Sequence, residues 1–146
     1  MKIALACDHG AYDYKEMVKE MLTKQGHEVQ DFGCHSDASV DYPDYAGPCA
    51  KSVASGENER GIVICGTGIG VSITANKVDG IRCALCSDPL SARLTREHND
   101  SNMLAMGARI IGSELMKEIV NVWLTTDFSC DERHQRRIDK VMALEK

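Results

Sequence analysis

Cys65 ends the apolar run Ile62-Val63-Ile64 and is followed by Gly66-Thr67-Gly68-Ile69-Gly70. A cysteine there can serve as a base or a nucleophile if its thiolate is stabilised. Glycine at alternate positions lets the backbone turn tightly and come close to a bound group. The N–H groups of that turn, and of a helix behind it, would converge on one spot that favours an anion. The stretch thus offers a base and an oxyanion cradle together. Two plainer readings stay open. Such turns also serve packing in doubly wound sheets, and cysteine is among the most buried residue types.

Other residues could join this chemistry. His9 follows Asp8, and His98 precedes Asn99 and Asp100. Two histidines on one rim with Cys65 would suit acid–base work. Structurally, Asp8 could simply cap a helix, and His98 could sit favourably at a helix C-terminus. Arg133 and Arg137 are four apart and share a helical face. Arginine forks match phosphate oxygens, although Asp131, Glu132 and Asp139 could equally pair with them. Arg109 stands alone between a strand and a helix. The glycine loop lacks the Lys-Ser/Thr of a P-loop. Val71 occupies the place of the third glycine in a dinucleotide fingerprint. Asp88 precedes Pro89 and reads as a helix cap rather than a ribose-binding acid.

The elements that must position these groups alternate along the chain. Strands are expected at 2–7, 27–32, 61–65, 81–86 and 102–106. The first helix carries Tyr14, Met17, Val18, Met21 and Leu22 on one side and lysines and glutamates on the other. A second starts near Pro43, a third follows the glycine loop, and a fourth runs from Asp88 towards Asp100. A fifth carries Leu115, Ile119, Val122 and Trp123. Residues 133–146 read as a final charged helix. Alternation with short loops predicts an α/β fold: a single-domain three-layer sandwich, with a Rossmann-like five-stranded parallel sheet and helices on both faces. Ligands gather beyond the carboxyl ends of such strands, where Asp8, His9 and Cys65 to Gly70 are expected to share a rim.

The 146 residues suit one domain spanning 1–146, and no linker or repeat divides them. A net charge of −5 argues against nucleic acid or an anionic membrane as the main partner. No apolar run reaches membrane-spanning length, and no signal-peptide pattern opens the chain. Seven cysteines, an odd number, fit reduced thiols in a cytoplasm better than a disulfide framework. Cys83 and Cys86 have half-zinc-site spacing, but on a strand they face opposite sides, so no metal is expected.

Together, Asp8-His9-Gly10, Asp41-Tyr42-Pro43, Gly61 to Gly70, Ala75-Asn76-Lys77, Arg93 to Asn99 and Arg133-His134 resemble the type B ribose-5-phosphate isomerases. The wider group includes galactose-6-phosphate isomerase subunits. The resemblance runs nearly the whole chain in order. It implies an aldose–ketose isomerase working through an enediolate, with no metal or other cofactor. It assigns Cys65 as the base between C2 and C1, His98 to ring opening, and Thr67 as an aid at the enediolate. The amides of Gly66, Gly68, Ile69 and Gly70 would hold the enediolate oxygens. Asp8, Tyr42 and Asn99 would bind hydroxyls; His9, Arg109, Arg133 and Arg137 would hold the phosphate. It further implies sites built from two subunits of a homodimer or dimer of dimers. Some relatives use a glutamate just after the loop, where this chain has Val71, which leaves Cys65 as the base. Many have a Gly-Gly pair before the C-terminal arginine; here Ser129-Cys130-Asp131-Glu132 stands instead, one residue longer. This clouds the choice between Arg136 and Arg137.

Overall fold

The computed structural model describes residues 1–145. Five strands form one parallel sheet: β1 (Lys2–Cys7), β2 (Glu28–Asp31), β3 (Arg60–Cys65), β4 (Cys83–Leu85) and β5 (Met103–Gly107). Their spatial order is β2-β1-β3-β5-β4. Six helices connect and cover them: α1 (Tyr12–Lys24), α2 (Pro43–Ala54), α3 (Ile69–Asn76), α4 (Pro89–Asn99), α5 (Ser113–Thr125) and α6 (Glu132–Met142). The expected strands are all present, each shifted or trimmed by at most two residues at an end. The expected last helix ends at Met142, and Lys146 lies outside the described residues.

The sheet is buried on both faces, which explains its unbroken apolar strands. Ile3, Leu5, Ile62, Ile64, Leu104 and Met106 face α1, α4 and α5, packing on Val18, Ala92, Met116 and Trp123. The opposite face is lined by Ala4, Ala6, Val63 and Ala105. Small strand residues let α2 and α3 approach closely through Ala46, Ala50 and Ala75. Helix α6 stands outside this core and rests on α4 through buried Ile138.

The first helix departs from its expected pattern. Lys15, placed among the solvent-facing lysines by periodicity, is fully buried. Its ammonium donates to both Asp31 carboxylate oxygens at 3.0 and 2.9 Å and to the Cys34 carbonyl at 2.6 Å. A buried charge needs such partners, and β2 supplies one at its last residue.

Candidate active site

From β1 the chain turns towards β2, but it enters β3 on the other side of β1. That reversal opens a crevice at the carboxyl ends of β1 and β3. Asp8 follows β1 and Cys65 ends β3. The two ends are tied together, since the Asp8 amide donates to the Ile64 carbonyl at 3.2 Å. The Asp8 carboxylate accepts from the Gly10 amide at 3.0 Å, capping a short 3₁₀ turn. His9 Nδ1 accepts from the Val40 amide at 3.1 Å, which fixes its ring orientation.

Cys65 is 5% exposed, and its Sγ accepts the Gly68 amide at 3.1 Å. Gly68 has φ +78°, a left-handed conformation that favours glycine. A β-carbon there would lie 2.7 Å from the Met106 carbonyl carbon. The loop is also clamped from β5's end: Ala108 and Arg109 amides donate to the carbonyls of Cys65 (2.8 Å) and Gly66 (2.9 Å). Arg109 lies over Gly66, and the Tyr42 ring lies against Gly70. Two amides expected to face a ligand are occupied inside the loop. Gly68 serves Cys65, and the Ile69 amide donates to Thr67 Oγ1 at 3.1 Å. The start of α3 still leaves first-turn amides without intrahelical acceptors.

The remaining candidates lie elsewhere in the subunit. His98 and Asn99 are exposed at the last turn of α4. They line a cavity of about 1180 Å³ with Arg133, His134 and Arg137. None of Asp8, His9, Tyr42, Cys65, the glycine loop or Arg109 lines it. The expectation of two histidines on one rim with Cys65 therefore fails within one subunit. The reason is direction: α4 runs back from the end of β4, so its last turn reaches the amino ends of the strands. Eleven residues at about 1.5 Å each carry His98 roughly 15 Å from that rim. His9 and Arg109 are likewise at the opposite end from Arg133 and Arg137, so one subunit's four cannot grip one phosphate.

Arg133 and Arg137 share the cavity face, whereas Arg136 lies with Glu132, Gln135 and Asp139 on another side of α6. The Asp131 carboxylate accepts the Arg133 amide at 2.8 Å as the α6 cap, and that bond holds its pKa below the usual carboxylate value. His134, next to Arg133 in sequence, contacts His98 with ring centroids 4.4 Å apart. Cys83 and Cys86 pack on opposite faces of the sheet and cannot share a metal. Burial pushes their thiols up, to about 12 and about 11. Asp88 caps α4 by accepting the Ser91 amide at 2.7 Å. No helix among the described residues is long and apolar enough to cross a membrane.

The sequence matches the family described as Ribose/Galactose Isomerase over residues 3–141. It is 48% identical to ribose-5-phosphate isomerase B of Escherichia coli, covering 99% of this chain and 96% of that protein. It is 38% identical to galactose-6-phosphate isomerase subunit LacB of Clostridium acetobutylicum, covering 99% and 83% respectively. The structure of Clostridium thermocellum ribose-5-phosphate isomerase B superposes with a TM-score of 0.97 at 50% identity, covering 99% of this chain and 97% of that one.

Proposed function

The chain belongs to the ribose/galactose isomerase family, and on that premise we propose that it interconverts ribose 5-phosphate and ribulose 5-phosphate with Cys65 as the base. The enzyme is a sugar-phosphate isomerase. The observation that carries the finer reading is the Cys65 Sγ at the crevice, accepting the Gly68 amide inside a glycine loop. That bond fixes the sulfur at the end of β3, beside the loop amides.

In this reading the thiolate takes the C2 proton, and the electron pair passes through the new C1–C2 double bond onto the carbonyl oxygen. The O2 hydroxyl proton passes to the O1 oxyanion, the thiol returns its proton to C1, and the pair left on O2 forms the C2 ketone. Main-chain donors around Gly66 to Gly70 meet the oxyanion where it develops. Thr67 Oγ1 already accepts from Ile69, so its own proton is available to those oxygens. Asp8, Tyr42 and Asn99 bind hydroxyls. The reaction moves a proton and no net electrons, so the residues suffice without a cofactor.

Ring opening by His98 and the Arg133–Arg137 grip on phosphate come from a second copy of the chain. The exposed face of α3 supports this. Ile69 and Ile73 are 52% and 58% exposed, four residues apart on one stripe, and exposed Leu85 packs against Gly68 next to Ile69. Antiparallel pairing of α3 across a two-fold axis would set the amino ends of one sheet against the carboxyl ends of the other. Each site would then receive Cys65, His9 and Arg109 from one copy and His98, Asn99, Arg133 and Arg137 from its partner. We place this homodimer, or a dimer of two such dimers, in the cytoplasm, where its thiols stay reduced.

Solvent-deuterium incorporation into ribulose 5-phosphate, with chelator present, tests the chemistry. We expect exchange at C1 that disappears in Cys65→Ala; retained exchange would exclude the thiolate base. The similarity to LacB keeps a hexose 6-phosphate, galactose or allose 6-phosphate, as the second reading. A higher kcat/KM for a hexose phosphate than for ribose 5-phosphate would select it.

A further inference from the structure

His98 is exposed at a helix end, yet delivering a proton to a ring oxygen requires a defined orientation. Its ring lies against His134, with centroids 4.4 Å apart and planes tilted by 38°. His134 is itself held: its Nδ1 is 2.9 Å from Ser129 Oγ. Ser129 is anchored twice. Its amide donates to the Glu97 carbonyl at 3.2 Å, one residue before His98, and its Oγ accepts the Asp131 amide at 3.2 Å. Asp131 in turn caps α6, which carries His134.

We propose that Ser129 and His134 act as a positioning pair for His98, with Ser129 fixing the His134 tautomer and His134 fixing the His98 ring. A hydroxyl has one proton to give. In the proposed arrangement Ser129, whose oxygen receives the Asp131 amide, gives that proton to His134 Nδ1. His134 then carries its own proton on Nε2. Packed against His98, that ring restricts its rotation. The Ser129–Glu132 segment supplies the hydroxyl. The inference rests on the assignment of His98 to ring opening.

Ribulose 5-phosphate separates the two. Its C5 oxygen carries the phosphate, so it has no furanose form, and its exchange with solvent bypasses ring opening. In Ser129→Ala we expect net conversion of ribose 5-phosphate to fall about tenfold, with deuterium exchange into ribulose 5-phosphate kept within about twofold. Ser129→Thr, which retains the hydroxyl, should restore conversion. Long-range proton–nitrogen NMR should show His134 protonated on Nε2 in the wild type and a tautomer mixture in Ser129→Ala. Unchanged conversion, an equal fall in both rates, or a proton on Nδ1 in the wild type overturns the proposal. A wild-type protein inert in both assays overturns the isomerase reading, and this inference with it.

Discussion

The two ends of the sheet are built differently. At the carboxyl end, Cys65 and the glycine loop are held by main-chain bonds from the β5 turn, at 2.8 and 2.9 Å. A side chain at Gly68 or Gly107 would overlap the backbone. At the amino end, His98, Asn99, Arg133 and Arg137 are exposed side chains on helix ends around an open cavity. In the proposed mechanism the step least tolerant of misplacement, stabilising an oxyanion, falls to backbone that cannot shift easily. In the same proposal, proton delivery and phosphate recognition fall to side chains that a second copy organises. Neither end holds the proposed base and the proposed acid together.

Mixing mutants breaks the comparison most directly. Cys65→Ala should lose about 10³-fold in turnover, within the range for a removed general base, while still binding a sugar phosphate. His98→Ala should also be strongly impaired on ribose 5-phosphate. If each site joins opposite ends of two subunits, hybrid dimers regain one intact site. Random reassortment of equal amounts makes half the dimers hybrid, so activity should recover to roughly a quarter of wild type. Kinetic assays before and after dissociation and reassociation check this. No recovery would mean that both residues serve the same site from one chain, or that His98 is not required.

The carboxyl end was readable in the sequence because its signals are local. An apolar run, a cysteine and spaced glycines are contiguous, and the crevice follows from strand order. The amino end was not, because its residues are brought together by α4 and α6, far apart in sequence. One signal was available: a helix between parallel strands must run back, so His98 in its last turn cannot share a rim with Cys65. Burial of Lys15 was hidden for another reason. Its helical position looks polar until Asp31, on a different element, lies within 2.9 Å. Periodicity has no access to such a partner.

Ion pairs at the two ends sharpen the contrast. Asp31 is 10% exposed and faces fully buried Lys15, whereas Asp100, paired with Arg96 at 2.9 Å, is 40% exposed. Asp31→Asn should cost about 3–5 kcal/mol, because it strands a buried ammonium. Asp100→Asn should cost about 1 kcal/mol or less. Arg96 keeps the Ser101 and Thr126 carbonyls, and Asn suits the left-handed φ of 44°. Urea denaturation at pH 7 compares them. The same pair predicts a pH dependence. Burial alone would raise the Asp31 pKa, but the Lys15 bond, the Gly33 amide and Lys19 outweigh it and hold it low. Its contribution is complete above the unfolded carboxylate value of about 3.9 and fades as pH falls through the lower folded value. Burial would lower the Lys15 pKa, but Asp31 outweighs it and raises the value. That contribution fades only as pH climbs through the folded value, above about 10.4. The stability gap between wild type and Asp31→Asn should therefore be flat at neutral pH and narrow in strong acid. A gap that widened below about pH 4 would contradict the pairing.

The smallest effect compares two glycines with similar backbone and different surroundings. Gly68, at the carboxyl end, has φ +78°, and Gly80, in the loop between α3 and β4, has φ +91°. Alanine at either position pays the left-handed strain, about 1 kcal/mol. At Gly80 the new methyl would meet only Ala54, at 3.7 Å, an ordinary contact. At Gly68 it would lie 2.5 Å from Leu85 Cδ1 and 2.7 Å from the Met106 carbonyl carbon. Leu85 can rotate, but the β5 backbone cannot yield without moving the clamp on Cys65. Gly68→Ala should thus cost roughly 2–3 kcal/mol and displace the amide bonded to the sulfur of the proposed base, lowering kcat as well as stability. Gly80→Ala should lower stability alone. Thermal melts and steady-state kinetics on both variants read the difference. Equal losses at the two sites would mean that the carboxyl-end loop is no more constrained than an ordinary surface turn.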